Sequence, residues 1–474
     1  MKMSPSERSR MMLTAPVSRI IPRLAVPTII SMLITTIYNM ADTFFVSQLS
    51  TEASGAVGVV FSVMAIIQAI SFTIGMGTGA NVSQLLGAGK DEEARTYCSV
   101  GFSTAIGVGT LIMIIGNLSM DFIIPLLGAT DTIAPYAKQY AMYIFYAAPF
   151  MMGSFVLNNM LRFQGLATYG MLGITTGGIL NMVLDPIFIF SPGADTGLGF
   201  AMPFGLGLGT AGAAIATALS QAASFFILLL QSNLRRDTIS VTPRRFHPTK
   251  AMYGRIFYTG LPSLGRQGIA SISTILLNNA CVAFAAPGAQ DAAIAAMSIV
   301  SRFVMFINST VIGFGQGFQP VCSFNYGAGK YSRVRQAFWF CVKVSTIILL
   351  VLGVGAFIFA EPIITVFRRE DPAVIAFGTT ALRFHLTTIP LWGFIVMSNM
   401  FTQSIGDGLR STIISVSRQG LFLIPALLLL PRILGETGIQ AAQPVADVLA
   451  LTMTMVIIRK ILQKFKAMPD KEAA

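Results

Sequence analysis

Charged side chains are scarce in this sequence. Only 11% of its 474 residues are Asp, Glu, Lys or Arg, whereas 54% are hydrophobic. Soluble globular proteins carry roughly 25% charged residues, so this deficit argues against a soluble enzyme. We therefore expect most of the surface of this protein to face lipid.

Histidine and cysteine are also rare, with two and four residues respectively. Cys98, Cys281, Cys322 and Cys341 are scattered through apolar segments, without the spacing of a metal site or a disulfide framework. Each is expected to be a small, buried apolar residue. A membrane-embedded enzyme would need a clustered nucleophile, histidine or metal site. Because the sequence shows none, we predict a protein that is not an enzyme and has no cofactor.

Long apolar stretches are what the sequence does contain. Twelve of them reach the roughly 20 residues needed to cross a bilayer. Backbone polar groups cannot stay unpaired in lipid, so each stretch must be a helix. The predicted fold class is an all-α membrane protein with twelve transmembrane helices. The predicted spans lie near residues 18–46, 53–85, 94–118, 133–157, 165–190, 208–232, 255–284, 291–322, 333–359, 376–402, 410–434 and 438–462.

The cations are distributed unevenly between these spans. The N-terminus, the even-numbered connections and the tail hold most of them, including Lys90, Arg162 and Lys330, whereas the odd-numbered connections hold few, such as Lys138. The positive-inside rule then places both termini in the cytoplasm, in a multi-pass protein of the inner (plasma) membrane. We interpret the net charge of +12 as this topology signal and as contact with anionic membrane lipids, and not as a nucleic-acid surface.

The sequence also repeats itself. Gly75-x-Gly77 followed by Gly87-Ala88-Gly89-Lys90 returns as Gly315-x-Gly317 followed by Gly327-Ala328-Gly329-Lys330, and Asn159-Met160 is expected to return as Asn399-Met400. Six spans per unit give both units one orientation, as in parallel repeats related by an axis along the membrane normal. We predict two six-helix bundles around a central cavity. The predicted segments are a cytoplasmic N-terminus at 1–17, an N-lobe at 18–232, a cytoplasmic linker at 233–254, a C-lobe at 255–462 and a tail at 463–474.

Three acidic residues fall inside predicted spans: Asp42, Asp185 and Asp447. A carboxylate at the bilayer centre costs roughly 2.5–3.5 kcal/mol, so its default interpretation is functional. At about 1.5 Å per residue, Asp42 and Asp185 lie at similar depth, and Asn181 shares a helix face with Asp185. With Thr217 only slightly deeper, these side chains can hold H⁺ or coordinate Na⁺.

Structural interpretations of the same residues stay open. Asp42 can be a cap at the outer end of its helix, and Asp185-Pro186 can be a helix-breaking device. Asn181 and Thr217 alone fit helix–helix hydrogen bonding equally well. Asp447 is either a second functional acid or the buried partner of an arginine. Arg266 and Arg302, inside spans seven and eight, are expected to form a lobe-stabilising ion pair or to snorkel.

Aromatic, amide and methionine side chains accompany these acids. Aromatic faces attract organic cations, and Met repacks around varied shapes, although each residue taken singly also fits core packing. We predict small organic cations as ligands. The predicted substrate cavity is lined by Tyr38, Asn39, Tyr140, Tyr143, Met152, Asn158, Met160 and Asp447.

Several motifs occur in an order typical of one transporter family. They are Pro27 with Asn39-x-x-Asp42-Thr43, Gly87-Ala88-Gly89-Lys90, Gln164-Gly165, Asn181-x-x-x-Asp185-Pro186, Gly212-Ala213-Ala214-x-Ala216-Thr217 and Gln443-Pro444-x-Ala446-Asp447. Through them, and over roughly residues 15–462, the chain resembles the multidrug and toxic compound extrusion (MATE) family. Within that family it looks closer to the MepA-like and DinF-like branch.

The resemblance implies a monomeric antiporter that exports lipophilic or cationic drugs by alternating access, driven by inward H⁺ or Na⁺. It implies a cation site at Asp42, Asn181, Asp185 and Thr217. Some members carry acids in spans seven and ten, but those spans lack them here, so a C-lobe cation site of that type is not expected. The alternative is a related lipid-linked oligosaccharide flippase, whose cavity should be cationic to receive pyrophosphate. A channel is a third possibility.

Overall fold

The computed structural model describes residues 4–197, 201–234, 238–286, 289–367 and 371–471. Residues 1–3, 235–237 and 472–474 of the predicted terminal segments and linker lie outside this range. The described residues form helices joined by short connections. These are α1 (Pro5–Thr14), α2 (Val17–Ser47), α3 (Thr51–Gly87), α4 (Asp91–Leu118), α5 (Met120–Leu126), α6 (Ala134–Phe163), α7 (Ala167–Ile189), α8 (Gly209–Leu234), α9 (Lys250–Phe284), α10 (Gln290–Gly327), α11 (Tyr331–Ile358), α12 (Ala360–Phe367), α13 (Pro372–Ser404), α14 (Gly408–Val416), α15 (Leu423–Leu434) and α16 (Glu436–Ala467).

Every predicted span corresponds to one long helical segment. Across the described ranges, ten of these segments are long and apolar enough to cross a membrane. The remaining two, α13 and α16, have sufficient length, with 33 and 32 residues, and α16 carries the buried Asp447. The predicted all-α membrane fold with twelve helices in two repeats is therefore confirmed.

The eleventh span is not one regular helix. A π-helical turn at Ser417–Leu421 separates α14 from α15. The Ser273 hydroxyl of α9 donates a hydrogen bond to the Gln419 carbonyl in this turn. A π turn inserts one residue into an α-helix and is frequent at functional sites. Apolar periodicity carries no signature of it, so the sequence predicts a continuous helix here.

The chain forms two compact units, each built around one buried helix. Unit 1 comprises Met1–Met11 and Ile30–Gly260, and unit 2 comprises Met12–Ile29 and Leu261–Ala474. In unit 1, α6 packs against α3, α4, α7 and α8. In unit 2, α13 packs against α10, α11, α14 and α16. The two central helices thus occupy matching places in the repeat.

The units differ from the predicted lobes at α2 and α9. The predicted lobes assign each of these helices to one side, whereas the compact units divide both of them. The start of α9 crosses α3 in unit 1, where a side chain on Gly77 would meet the Ile256 carbonyl. The start of α2 crosses α10 in unit 2, where a side chain on Gly317 would meet Ala25. Glycine is needed at both crossings because the two backbones nearly touch.

The turns after matching helices have the same geometry, which fixes the register of the repeat. Gly89 and Gly329 have φ values of 72° and 73°. The next pair, Gly165 and Gly406, both have φ of 80°. These left-handed positions end a helix and favour glycine.

This register corrects one predicted pairing. Asn399 donates to the Ser411 carbonyl at 2.7 Å, and Asn158 lies against Gly170, the residue that matches Ser411. Asn158 is therefore the counterpart of Asn399. The predicted pairing of Asn159 with Asn399 was wrong by one residue, because two asparagines stand side by side in α6 and one in α13.

Candidate cation-binding site

Four helices of unit 1 bring the predicted cation-site residues together. Asp42 lies on α2, Asn181 and Asp185 on α7, and Thr217 on α8, and all four are buried. Asn181 Nδ2 donates to Asp185 Oδ1 at 3.0 Å and to Thr217 Oγ1 at 3.2 Å. The fourth helix, α6, contributes Tyr140, whose hydroxyl donates to Asp42 Oδ2 at 3.0 Å.

The local structure argues against the two structural interpretations of the acids. α2 continues for five residues beyond Asp42 and ends at Ser47, so Asp42 does not cap its end. α7 continues through Pro186 to Ile189, so Asp185-Pro186 does not break the helix there. Both carboxylates are instead held inside the helix bundle of unit 1. Their placement requires a compensating partner, since burying a charge is costly.

Three oxygens at this site are buried and have no hydrogen-bond partner among the described residues. They are Asp42 Oδ1, Asn181 Oδ1 and Asp185 Oδ2. The neighbouring donors, on Tyr140 and Asn181, already bond the other oxygens. Neither acid has a cationic side chain within 4.0 Å in the described ranges. The cluster is thus rich in acceptors, and oxygen ligands of this kind suit H⁺ or a hard cation such as Na⁺.

Two of the predicted cavity residues on α2 lie near these acids. Tyr38 is buried one turn before Asp42, its ring contacts Gly178 of α7, and Gln221 of α8 donates to its hydroxyl at 3.4 Å. Asn39 is half-buried, and its carbonyl accepts a bond from the Thr43 hydroxyl at 3.0 Å. With Tyr140, two phenol side chains therefore adjoin the carboxylates.

The other predicted cavity residues of α6 lie elsewhere in unit 1. Met152 and Met160 belong to its apolar core. They lie roughly 18 Å and 30 Å along the helix from Tyr140, at about 1.5 Å per residue. Asn158 faces Gly170. Tyr143 lines an apolar pocket of ≈ 300 Å³ between α6 and α8. The structure gathers none of these four around the acids.

Asp447 belongs to unit 2 and is fully buried. Its Oδ1 accepts a bond from Arg418 Nε at 2.8 Å, so it is the buried partner of an arginine. The arginines singled out from the sequence do not fill this role. Arg302 is exposed and Arg266 half-buried, and neither forms an ion pair in the part of the chain that the structure describes.

The sequence analysis missed two arginines inside the helix bundles, one fully buried and one largely so. Arg418 lies inside predicted span eleven, where the rule that identified Asp447 would also have identified it. Arg162 was assigned to a cytoplasmic connection but is only 1% exposed. It donates to Asn159 Oδ1 at 2.5 Å within α6. Its position at a predicted helix end made it look like a surface cation.

The chain was compared with known proteins. Residues 27–187 and 268–428 match the family model MatE, one match per repeat. The multidrug export protein MepA of Staphylococcus aureus is 26% identical over 447 residues, 94% of each chain. MepA of Staphylococcus haemolyticus is 25% identical over 435 residues, 92% of this chain and 91% of that one.

Solved structures agree with this assignment. A MATE protein in complex with MaL6 has a TM-score of 0.88 and 26% identity, covering 96% of this chain and 98% of that one. An outward-facing multidrug resistance MATE family transporter of the MOP superfamily has a TM-score of 0.87 with the same identity and coverage. A MOP superfamily transporter from Pyrococcus furiosus has a TM-score of 0.86 and 27% identity, with the same coverage. With both repeats matched by the family model and the fold shared over nearly its full length, this membrane protein belongs to the MatE family of transporters.

Proposed function

We propose that this protein is a multidrug exporter of the plasma membrane that moves lipophilic organic cations out of the cell in exchange for H⁺ or Na⁺. Its similarity to MepA, named a multidrug export protein, supports the export of drugs. The observation that carries the coupling is the set of three buried, unpartnered oxygens on Asp42, Asn181 and Asp185. Such a set has an affinity for a cation that it can use to drive transport.

The coupling ion acts by neutralising charge in unit 1. Asp42 and Asp185 are both buried in unit 1 without a cationic side chain within 4.0 Å among the described residues, so a bound cation neutralises charge that the protein leaves uncompensated. Asp42 lies on α2, whose first part belongs to unit 2, so repacking of α2 carries the change beyond the site. Loading the site from outside weakens the binding of a cationic drug. Release into the cytoplasm restores that affinity, and each charge moving down 100 mV supplies about 2.3 kcal/mol.

The same chemistry favours drug export over lipid flipping. A pyrophosphate-linked substrate is anionic and needs cationic side chains around it. Among the described residues, the polar side chains gathered around Asp42 and Asp185 are an amide and hydroxyls, with no cation among them. We further propose that the protein works as a monomer with both termini in the cytoplasm, in contact with membrane lipids and not with nucleic acid.

Transport in proteoliposomes tests this proposal, with pH and Na⁺ gradients imposed separately. Wild-type protein should move a fluorescent organic cation under one of the two gradients. Asp42→Asn and Asp185→Asn keep the side-chain shape but cannot become charged, so each should reduce transport to the level of empty vesicles while membrane expression persists.

Asp121→Asn is the matched control. Asp121 is exposed and pairs with Lys138, and exposed pairs of this kind contribute little, so transport should be unchanged. Gradient-driven transport at the wild-type rate in Asp42→Asn or Asp185→Asn would refute the role given to that residue. Passive, non-saturable movement in the wild type would indicate a channel.

A further inference from the structure

Unit 2 encloses one arginine side chain in a cage of aromatic and acidic groups. The Arg418 guanidinium lies over the Trp392 ring, 3.5 Å from its centroid. Its Nε donates to Asp447 Oδ1 at 2.8 Å. A guanidinium stacked on an indole and paired with a carboxylate is an arrangement that also recognises free organic cations.

The cage does not depend on Arg418 for its shape. Gln443 Nε2 donates to Asp447 Oδ1 at 2.9 Å. Thr388 Oγ1 and Trp392 Nε1 donate to Asp447 Oδ2 at 2.7 Å and 2.8 Å. These three bonds come from α13 and α16 and fix the carboxylate and the indole together. Removing the guanidinium therefore leaves a preformed anionic site beside an aromatic face.

Arg418 differs from Asp447 in its backbone setting and in its exposure. It lies in the π-helical turn at Ser417–Leu421, where the backbone departs from the regular α-helical pattern. Its side chain is 13% exposed, whereas that of Asp447 is fully buried. Arg418 is therefore the more accessible partner of this ion pair.

The scaffold of the repeat does not require this arrangement. In the register that aligns Gly165 with Gly406, the counterpart of Arg418 is Gly177, within the regular helix α7. In the same register the counterparts of Trp392 and Thr388 are Met151 and Ala147. For the last helix of each unit, in the register that aligns Gly212 with Gly438, the counterpart of Asp447 is Gln221. Unit 1 therefore forms the same helices without the cage. A buried ion pair is in any case a weak source of stability, so its presence in one unit points to a task other than folding.

We propose that Trp392 and Asp447 form an organic-cation site, suited to guanidinium and amidinium compounds, which Arg418 occupies when no such ligand is bound. A cationic ligand displaces the Arg418 side chain, stacks on Trp392 and pairs with Asp447. This site is separate from the ion site of unit 1, and it does not depend on which ion drives transport.

The protein contains two tryptophans, Trp339 and Trp392, which permits a direct binding test. Trp339 is 52% exposed, so Trp339→Phe leaves Trp392 as a single fluorescent reporter in the full-length protein. Ethylguanidinium is titrated at constant ionic strength in Trp339→Phe and in Trp339→Phe/Arg418→Gln. Both should show a saturable change, with a midpoint about tenfold lower in the Arg418→Gln protein, which corresponds to about 1.4 kcal/mol.

Matched variants decide the outcome. Adding Asp447→Asn to the Arg418→Gln protein should abolish the response, the surface variant Asp121→Asn should leave it unchanged, and neutral ethylurea should give none. Arg418→Lys provides a second variant if Arg418→Gln is unstable. Lysine keeps the positive charge but lacks the planar guanidinium, so the midpoint of this variant should lie between those of the Arg418 and the Arg418→Gln proteins. The proposal would be overturned by a fluorescence response that survives Asp447→Asn or by a response to ethylurea. It would also be overturned if the protein that retains Arg418 gave no response to ethylguanidinium. In the last case Arg418 would be a permanent structural partner.

Discussion

Each carboxylate of the candidate cation site in unit 1 has one oxygen that is bonded and one that is not. Tyr140 bonds Asp42, Asn181 bonds Asp185, and the remaining oxygens are buried without donors among the residues that the structure describes. Hydrogen bonds to charged groups are worth roughly 1.5–3 kcal/mol. The existing donors thus stabilise the buried acids only in part, and the proposed cation would supply the missing partner.

Replacing Tyr140 by Phe tests this division of bonds. Tyr140→Phe removes the donor to Asp42 Oδ2 and leaves the ion-free carboxylate less well compensated. The thermal stabilisation that saturating H⁺ or Na⁺ provides should therefore increase relative to wild type. Thermal unfolding with and without each ion measures it. Tyr143→Phe is the control, since Tyr143 lines an apolar pocket and its hydroxyl should not matter. Equal stabilisation in Tyr140→Phe and wild type would contradict the assignment.

The acids of this site are predictable from the sequence and most of their surroundings are not. Asp42, Asp185 and Asn181 are conspicuous because charged and amide groups are rare in apolar spans. Which residues complete the site depends on helix rotation and crossing, which composition does not determine. Tyr140 was expected in a substrate cavity and instead bonds Asp42. Met152 and Met160 were expected beside it and lie in the apolar core.

At the scale of helices, the span pattern predicts the elements well because lipid leaves the backbone no alternative to helix. The span pattern does not predict a change in backbone geometry that occurs without a change in side-chain polarity. The π turn at Ser417–Leu421 lies within a continuous apolar stretch. The division of α2 and α9 between the units depends on long-range packing, which residue spacing along one helix does not reveal.

The crossing of α3 and α9 yields a stability prediction. A side chain at Gly77 would overlap the Ile256 carbonyl, and forcing extra atoms into a packed contact costs about 1–3 kcal/mol. Gly77→Ala should therefore lower the thermal unfolding temperature in detergent. Gly58, in the same helix, has open space where an added methyl group would lie. Gly58→Ala should be neutral or stabilising by up to about 1 kcal/mol. Equal effects of the two substitutions on the unfolding temperature would show that the crossing of α3 and α9 has room for an added methyl group.

The C-terminal segment is fastened to the turn between α10 and α11. Asp470 Oδ1 accepts a bond from the Ser332 backbone amide at 2.9 Å, and Lys330 Nζ donates to the Lys471 carbonyl at 2.6 Å. Burial alone would raise the pKa of Asp470. Hydrogen bonds from Ser332 and the charge of Lys330 outweigh it, so its pKa is lowered from the usual value.

A lowered carboxyl pKa gives this attachment a defined pH dependence. The partners of Asp470 favour its charged form, so its contribution to the stability of this attachment is complete above the pKa of a free aspartate. The contribution is lost as the pH falls through the lowered value. Hydrogen exchange of the Lys471 amide, which donates to the Gly329 carbonyl, should be slow near neutral pH and approach that of a free peptide in strong acid. Asp470→Asn should show fast exchange at neutral pH, and unchanged protection in this variant would contradict the attachment.

At the scale of the whole molecule, the native cysteines make the proposed topology testable. All four thiols are buried, so they should react slowly with a membrane-impermeant maleimide. Ser6 and Thr132 are both exposed, and Thr132 lies in the connection before α6. Cysteines introduced at these two positions should then be labelled from opposite sides of the membrane. In intact cells Thr132→Cys should be labelled and Ser6→Cys should not, whereas opened membranes should label both. The reverse pattern would invert the proposed orientation.

The two crossings near glycine also bear on how such a chain arose. Unit 1 contains the start of α9 and unit 2 the start of α2, so each repeat supplies the beginning of its first helix to the other. A single ancestral repeat with this pattern would have been a homodimer whose copies exchanged those segments, as domain-swapped dimers do. Fusion of two such genes would have converted an equilibrium between separate chains into a permanent arrangement. The halves were then free to diverge, one toward the ion cluster of Asp42 and Asp185 and the other toward the caged arginine.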